Sequence, residues 1–280
     1  MSLIRTLITA SVLSVSFNAS AALTSYTGAG GVGLVYSSIS NITWTQDANL
    51  LGTLESTLGY SNAINAIIAA NPTINNTASP YDTPAFSGHH TVSTSDFSLG
   101  GFATWFGAQA FVGYLNSISY GGSNQWSLPG WTDTGAPDSQ DSNNGTDMGY
   151  NVNPSSDPLA QLYYGELNKT AYYNTSGNFQ NGYGIFGNNG AQVAGGAVGP
   201  FSNVQSSAYW LGTEYAPEPN FAWVFDSFSG GQSISIKTSQ FNAWAVSPGQ
   251  VSAVPVPGAV WLMGSGLLGL LGLKRRGHAG

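Results

Sequence analysis

Two apolar periods divide this chain. In residues 59–70, Ile64, Ile67 and Ile68 fall at helical spacing and Asn71-Pro72 closes the run, which predicts a short helix. Phe106, Ala110, Phe111, Tyr114, Leu115 and Ile118 make a second stripe and predict a helix from Thr104 to about Ser119. Asp157-Pro158 offers an N-cap followed by a residue with no N–H to satisfy, so a third helix is expected to about Leu167, with Leu159, Leu162 and Tyr163 inward. Past position 200 the period drops to two. Ala208 to Thr213, Phe221 to Phe228, Gln232 to Lys237 and Phe241 to Val246 alternate, with Ser229-Gly230-Gly231 the tightest turn between them. That pattern predicts an antiparallel β-meander. Gly33 to Trp44, alternating β-branched and aromatic residues with Ser and Asn, reads as an early strand, and Ala22 to Gly33 before it as a small-residue leader. Helices first and strands afterwards imply an α+β domain, with the early strand returning to the meander's sheet.

The two ends break this pattern. Arg5, the apolar run Leu7 to Phe17 and the small residues Ala19-Ser20-Ala21 have the three parts of a signal peptide over residues 1–22, a substrate for signal peptidase. At the other end, 18 uncharged residues from Val256 to Leu273 are followed at once by Lys274, Arg275 and Arg276. As a helix this run would be roughly 27 Å long, close to the hydrocarbon thickness of about 30 Å. A C-terminal transmembrane helix over 256–273 is therefore expected, with the basic tail on the cytoplasmic side and residues 23–253 outside as one exported domain.

Charge narrows the partners of that domain. Between residues 22 and 253 two lysines, Lys169 and Lys237, face all thirteen carboxylates, a net of about −11 where the whole chain sums to −7. A nucleic-acid surface needs clustered Lys and Arg, so nucleic acid is excluded as a partner. The chain has no cysteine. Thiol catalysis, thiolate metal sites and disulfides are excluded with it.

With these residues in view, the C-terminus resembles a known sorting signal. Val254, Pro255, Val256 and Pro257, then Trp261-Leu262, the Gly- and Leu-rich run from Gly264 to Leu270, and Arg275-Arg276 are similar to PEP-CTERM signals, nearest the VPLPA type. The resemblance implies a Gram-negative surface or matrix protein that an exosortase-like membrane enzyme recognises and cleaves, with Lys274, Arg275 and Arg276 as the basic end of the signal.

A second resemblance spans residues 33–250. "TWTQDANLL" from Thr43, "QAFVGYLNSISYGGSNQWSLPGWTDTG" from Gln109, "LAQLYYGELNKTAYYNTSGNFQNGYG" from Leu159, "YWLGTEYAP" from Tyr209, and "FAWVFD" with "AWAVSPG" resemble the DUF1566, or Lcl C-terminal-like, family in order. The resemblance implies a C-type-lectin-like mixed fold, in a group where some members are adhesins for sulfated glycans. Ser127 and Ser247 stand where the family usually has Arg, and the loop from Asp138 to Met148 lacks a Cys pair that many relatives carry. The loss of the two Arg weighs against a sulfated ligand here.

Several constellations carry candidate chemistry. Asp138, Asp141, Asn143 and Asp147, with Gly145 among them, have the oxygen-ligand spacing of calcium loops, although the distal Glu is absent and the same residues serve any turn-rich loop. Glu218-Pro219-Asn220 repeats the sugar-site triplet of animal C-type lectins. Trp126, Trp131, Tyr150, Tyr163, Tyr164, Tyr172, Tyr173 and Trp210 could stack on sugar rings or fill the core; Trp131 and Tyr150, flanking the polar loop, are the expected exposed pair. Gly28 to Gly33 formally matches a dinucleotide fingerprint but lacks the strand before it and the helix after it. His89 and His90 are adjacent and outside any nucleophile arrangement, so no catalytic residue is assigned. The expectation is a non-enzymatic envelope or matrix protein binding neutral extracellular polysaccharide. No cofactor is assigned beyond the candidate calcium ion. The alternatives are a glycan hydrolase with paired carboxylates and a ligand-free structural matrix protein.

Overall fold

The computed structural model describes residues 23–135, 143–193 and 195–252. Strands β1 (Leu23–Thr27), β2 (Gly33–Ser37) and β3 (Ile42–Thr45) come first. Helices α1 (Leu50–Leu58) and α2 (Tyr60–Ala70) follow, then β4 (Thr73–Asn75) and β5 (His89–Thr91). A 3-10 turn at Thr94–Asp96 leads to β6 (Phe97–Ser98), β7 (Phe102–Ala103) and α3 (Trp105–Ser117). After β8 (Gly149–Tyr150), the single turn α4 (Pro158–Ala160) runs into a π-helical segment, Gln161–Glu166. The last third holds β9 (Gly196–Val198), β10 (Phe201–Val204), β11 (Ala208–Glu214), β12 (Phe221–Asp226), β13 (Gly231–Ile236), β14 (Phe241–Asn242) and β15 (Val246–Pro248).

Local chemistry sets the helix limits. The Thr104 hydroxyl accepts from Gly107 N at 3.1 Å and starts α3, while Asp157 Oδ1 accepts from Leu159 N at 2.5 Å and Ala160 N at 2.9 Å and starts α4. Gly59, at φ 84°, separates α1 from α2, and Asn71-Pro72 ends α2.

The central sheet runs β6-β7-β14-β11-β12-β13-β8, and its middle strands are buried on both faces. Trp210, Ala222, Val224, Ala243 and Ala245 face a core shared with α1, α2 and α3, where Ile64, Ile67, Phe106, Phe111 and Leu115 are inaccessible. Their neighbours Tyr209, Leu211, Trp223, Phe225 and Trp244 face a second core with Trp44, Leu162, Tyr163 and Phe201. Trp244 sits 4.9 Å from the rings of both Trp44 and Phe201, and its indole N–H donates to Thr45 O at 2.9 Å. The strands therefore form a middle layer between helices and a second sheet.

The α+β, C-type-lectin-like expectation with a transmembrane helix is overturned. The described structure is mixed, 20% helix and 28% strand, so sheet dominates and the helices do not form a separate first half. The early strand does not join the meander's sheet. It is two strands, turning at Asn41 (φ 50°), and it builds a separate sheet ordered β1-β2-β3-β15. Residues 23–27, read as leader, pair with β2 along their whole length. Their largely exposed side chains leave no apolar signature, because backbone hydrogen bonds do the joining. No helix among the described residues is long and apolar enough to cross a membrane. The expected spanning helix, 256–273, and the signal peptide, 1–22, lie outside the described residues.

Candidate functional site

The turn from β12 to β13 gathers the site. Asp226 pairs with Gly231, and Gly231 pairs with Tyr150 on edge strand β8. Between them Gly230 has φ 72°, and a Cβ there would lie 2.8 Å from the Tyr163 ring, so the turn requires glycine twice over. The Gly230 carbonyl accepts from the Tyr164 hydroxyl, whose oxygen accepts from Asn151 N at 3.0 Å. Tyr172 N donates to Ser229 O at 2.7 Å and so hangs the following loop on this turn. Within that loop Asn174 Oδ1 accepts from Ser176 N at 3.0 Å and Asn178 N at 2.9 Å. The chain folds back, and Tyr173 meets Phe179 in an isolated antiparallel bridge.

These constraints assemble a continuous array of rings. Tyr150 lies 5.4 Å from Tyr173 and 6.1 Å from Tyr172; Tyr172 lies 4.6 Å from Tyr173, 5.2 Å from Phe179 and 4.7 Å from Tyr183. Phe228 continues it, 6.1 Å from Tyr183. Most contacts are edge-on, the arrangement that ring quadrupoles favour. Phe179 is 51% exposed and Tyr150, Tyr172, Tyr173 and Phe228 are half-buried, so the array has an open side.

Beside Tyr150 is a cavity of about 160 Å³ lined by Asp226, Ser229, Gln232 and Ser233. It is smaller than the roughly 300–1,000 Å³ of enclosing small-molecule pockets, so it can grip one part of a ligand that lies across the surface. Asp226 accepts from Phe228 N at 2.9 Å and from the Ser229 hydroxyl at 2.7 Å. Burial pushes its pKa above the ordinary carboxylate value, against those hydrogen bonds, and burial likewise raises that of Tyr150. The combination is aromatic surface next to a carboxylate, hydroxyls and an amide.

The other expected site residues are scattered. Trp131 is a core lid: it stacks flat on Trp223 with centroids 4.1 Å apart, and its backbone N donates to Thr213 Oγ1 at 2.9 Å. It does not pair with Tyr150. Glu218 and Asn220 lie in the β11–β12 turn, six strand residues and so about 20 Å from Asp226; Asn220 O accepts from Lys237 N at 2.9 Å. Asp147 is buried and accepts from Thr134 N at 2.8 Å and Thr134 Oγ1 at 2.5 Å, which orients its carboxylate toward that residue. Asn143 O accepts from Asn151 Nδ2 at 2.9 Å. Asp138 and Asp141 lie outside the described residues, as do the sorting-signal residues Val254, Pro255, Val256, Pro257, Lys274, Arg275 and Arg276. Among the described residues no group of three His, Asp or Glu side chains could hold a metal ion.

Residues 28–32 form the β1–β2 turn, with Gly28 N donating to Val32 O at 2.9 Å. His90 is held on both ring nitrogens, by Tyr81 O at 2.6 Å and Asp96 at 3.2 Å, and stacks on Phe106. Ser127 pairs with Val246, the neighbour of Ser247, so the two positions where the resembled family carries Arg meet at one place.

The sequence reading includes Tyr150, Tyr172 and Tyr173 but passes over Phe179, Tyr183 and Phe228. For Phe179 and Tyr183 one signal was present: between 172 and 184 the aromatics stand among Asn, Gly, Ser, Thr and Gln with no aliphatic residue, too little apolar surface to bury every ring. No protein-family model, curated protein or solved structure matches the chain.

Proposed function

We propose that this chain is an exported, non-enzymatic protein of the cell envelope or extracellular matrix that binds neutral polysaccharide at the Tyr150 array. The observation carrying this reading is the set of rings around Tyr172, in which buried Tyr183 and half-buried Phe228 back Tyr172, Phe179 and Tyr150, and Phe179 is the ring most open to solvent beside the Asp226 cavity. Pyranose rings present C–H faces that pack on aromatic surface, and their hydroxyls match the acceptors and donors of Asp226, Ser229 and Ser233. Charge supports a neutral ligand. Lys237 is wholly buried, which leaves the half-buried Lys169 as the accessible lysine among the described residues, too little for a polyanion.

Glycoside hydrolysis works with two carboxylates flanking the bond, whereas among the described residues Asp226 is the one carboxylate lining this cavity. In the same proposal residues 1–22 direct export, and the tail from Val254 is sorted by an exosortase-like enzyme. A glycan array probed with the mature protein, with and without chelator, tests the reading. Binding to neutral polysaccharide that survives chelation and changes little with salt supports it. Binding confined to sulfated glycans and lost as salt rises would overturn it.

A further inference from the structure

Lys237 presents a chemical problem of its own. Its side chain is inaccessible to solvent, with Nζ 4.9 Å over the Trp105 ring and 5.7 Å from that of Phe106. Nζ has no hydrogen-bond partner of acceptable geometry, and its contact with a carboxylate is Glu214 Oε2 at 3.4 Å. An ammonium has three N–H donors, and leaving them unmet in a dry site is costly. The backbone fixes the position firmly: Lys237 N donates to Asn220 O, and Lys237 O accepts from Trp105 N, both at 2.9 Å. Glu214 is equally fixed, accepting from Thr77 N at 3.0 Å on Oε1 and 3.1 Å on Oε2.

We propose that Lys237 and Glu214 condense to an intramolecular amide, a covalent staple across β12 from the end of β11 to the residue after β13. The ion pair contains the same atoms as a free amine and a carboxylic acid. Nζ adds to Cδ of Glu214, the new C–N bond forms, the bond from Cδ to Oε2 breaks, and Oε2 leaves with two protons as water. No oxidant, reductant or further reactant is needed. Thr77 N donates to Oε1, where negative charge develops in the tetrahedral intermediate, and the 3.4 Å separation of Nζ from Oε2 holds the amine beside the carboxyl it attacks. Glu214 retains 19% side-chain exposure, an exit for the departing water. Burial also lowers the Lys237 pKa, which favours the free amine. The amide removes the buried ammonium and the half-buried carboxylate and leaves a single N–H. In a chain without cysteine, such a bond supplies the cross-link that disulfides give other exported proteins. This inference is independent of any glycan ligand.

Peptide mapping tests it directly. Mature wild-type protein is denatured and digested with trypsin, which requires a free lysine side chain. The expected result is no cut after Lys237 and a peptide containing both residues that is one water lighter than its sequence, with fragment ions joining Glu214 to Lys237. Glu214→Ala and Lys237→Met should each restore the sequence mass, and Glu214→Ala should restore the cut. The wild-type result decides even if both variants fail to fold. A peptide ending at Lys237 with its sequence mass, or an uncut peptide of unreduced mass, overturns the proposal.

Discussion

Replacing Asp157 by Asn should change the pH dependence of stability more than its absolute value. Asp157 is 3% exposed; Oδ1 caps α4 through Leu159 N and Ala160 N, while Oδ2 is buried without a partner. The two N–H groups favour the carboxylate, but desolvation outweighs them and pushes the pKa from 3.8 up to about 7. The folded value lies above the unfolded one. Below about pH 4 both states hold the proton and stability from this group is complete. From there to about pH 7 the unfolded chain releases a proton that the folded chain keeps, and stability falls by about 1.4 kcal/mol per pH unit. The total over this window is about 4 kcal/mol, or roughly 8–16 °C in melting temperature for a domain of this size.

Asn keeps an acceptor for the cap and cannot ionise. Its unpaired amide donors carry a penalty of about 1–3 kcal/mol that does not vary with pH. The assay is thermal melting of wild type and Asp157→Asn from pH 4 to pH 8. The difference between them isolates this carboxylate from Asp226, Glu55 and Glu166, whose values burial also raises, and from Asp82 and Asp96, whose values are lowered. The variant should gain on wild type steadily up to about pH 7 and then level off. Parallel curves would refute the reasoning and place a hydrogen-bond donor or solvent at Oδ2.

Three further outcomes follow from the fold. Trp244→Ala, which empties the junction of Trp44, Phe201 and Tyr209, should cost about 3–5 kcal/mol in denaturant unfolding; a loss under about 1 kcal/mol would show that the second core is loosely packed. Gly230→Ala forces a side chain into left-handed backbone and against Tyr163, and should destabilise by about 1–3 kcal/mol; unchanged melting would contradict the turn geometry. Millimolar calcium should leave the melting temperature unchanged, since Asp147 is committed to Thr134; a rise of several degrees would reveal an ion bound to the folded state.

The parts of the fold legible in the sequence were those with one buried face. Ile64 and Ile67 on α2, and Phe106, Phe111 and Leu115 on α3, are buried as their spacing implies, whereas Ile118, the last residue of the same stripe, lies past the end of α3 and is 48% exposed. Helix α1 carries Leu50, Leu51, Leu54 and Leu58 at helical spacing, but Gly52, Thr53, Ser56 and Thr57 dilute it and no side chain caps it. For β11 and β12, period two named the strands but could not show that both faces were covered, so the layering was lost. The site was least legible. Its rings come from positions 150, 172, 173, 179, 183 and 228, and only the β12–β13 turn and the Asn174 loop bring them together.

The central claim is tested most directly by titrating a neutral polysaccharide, chosen from the array, into wild type and two variants that each lose one exposed phenylalanine. Phe179 is 51% exposed within the ring array, and Phe86 is 67% exposed far from it in sequence and outside it. Removing a stacking ring should cost about 1.5 kcal/mol, which is roughly tenfold in affinity. The account predicts that Phe179→Ala weakens binding about tenfold while Phe86→Ala leaves it at the wild-type value. Equal affinity for Phe179→Ala and wild type, with both folded, would contradict it.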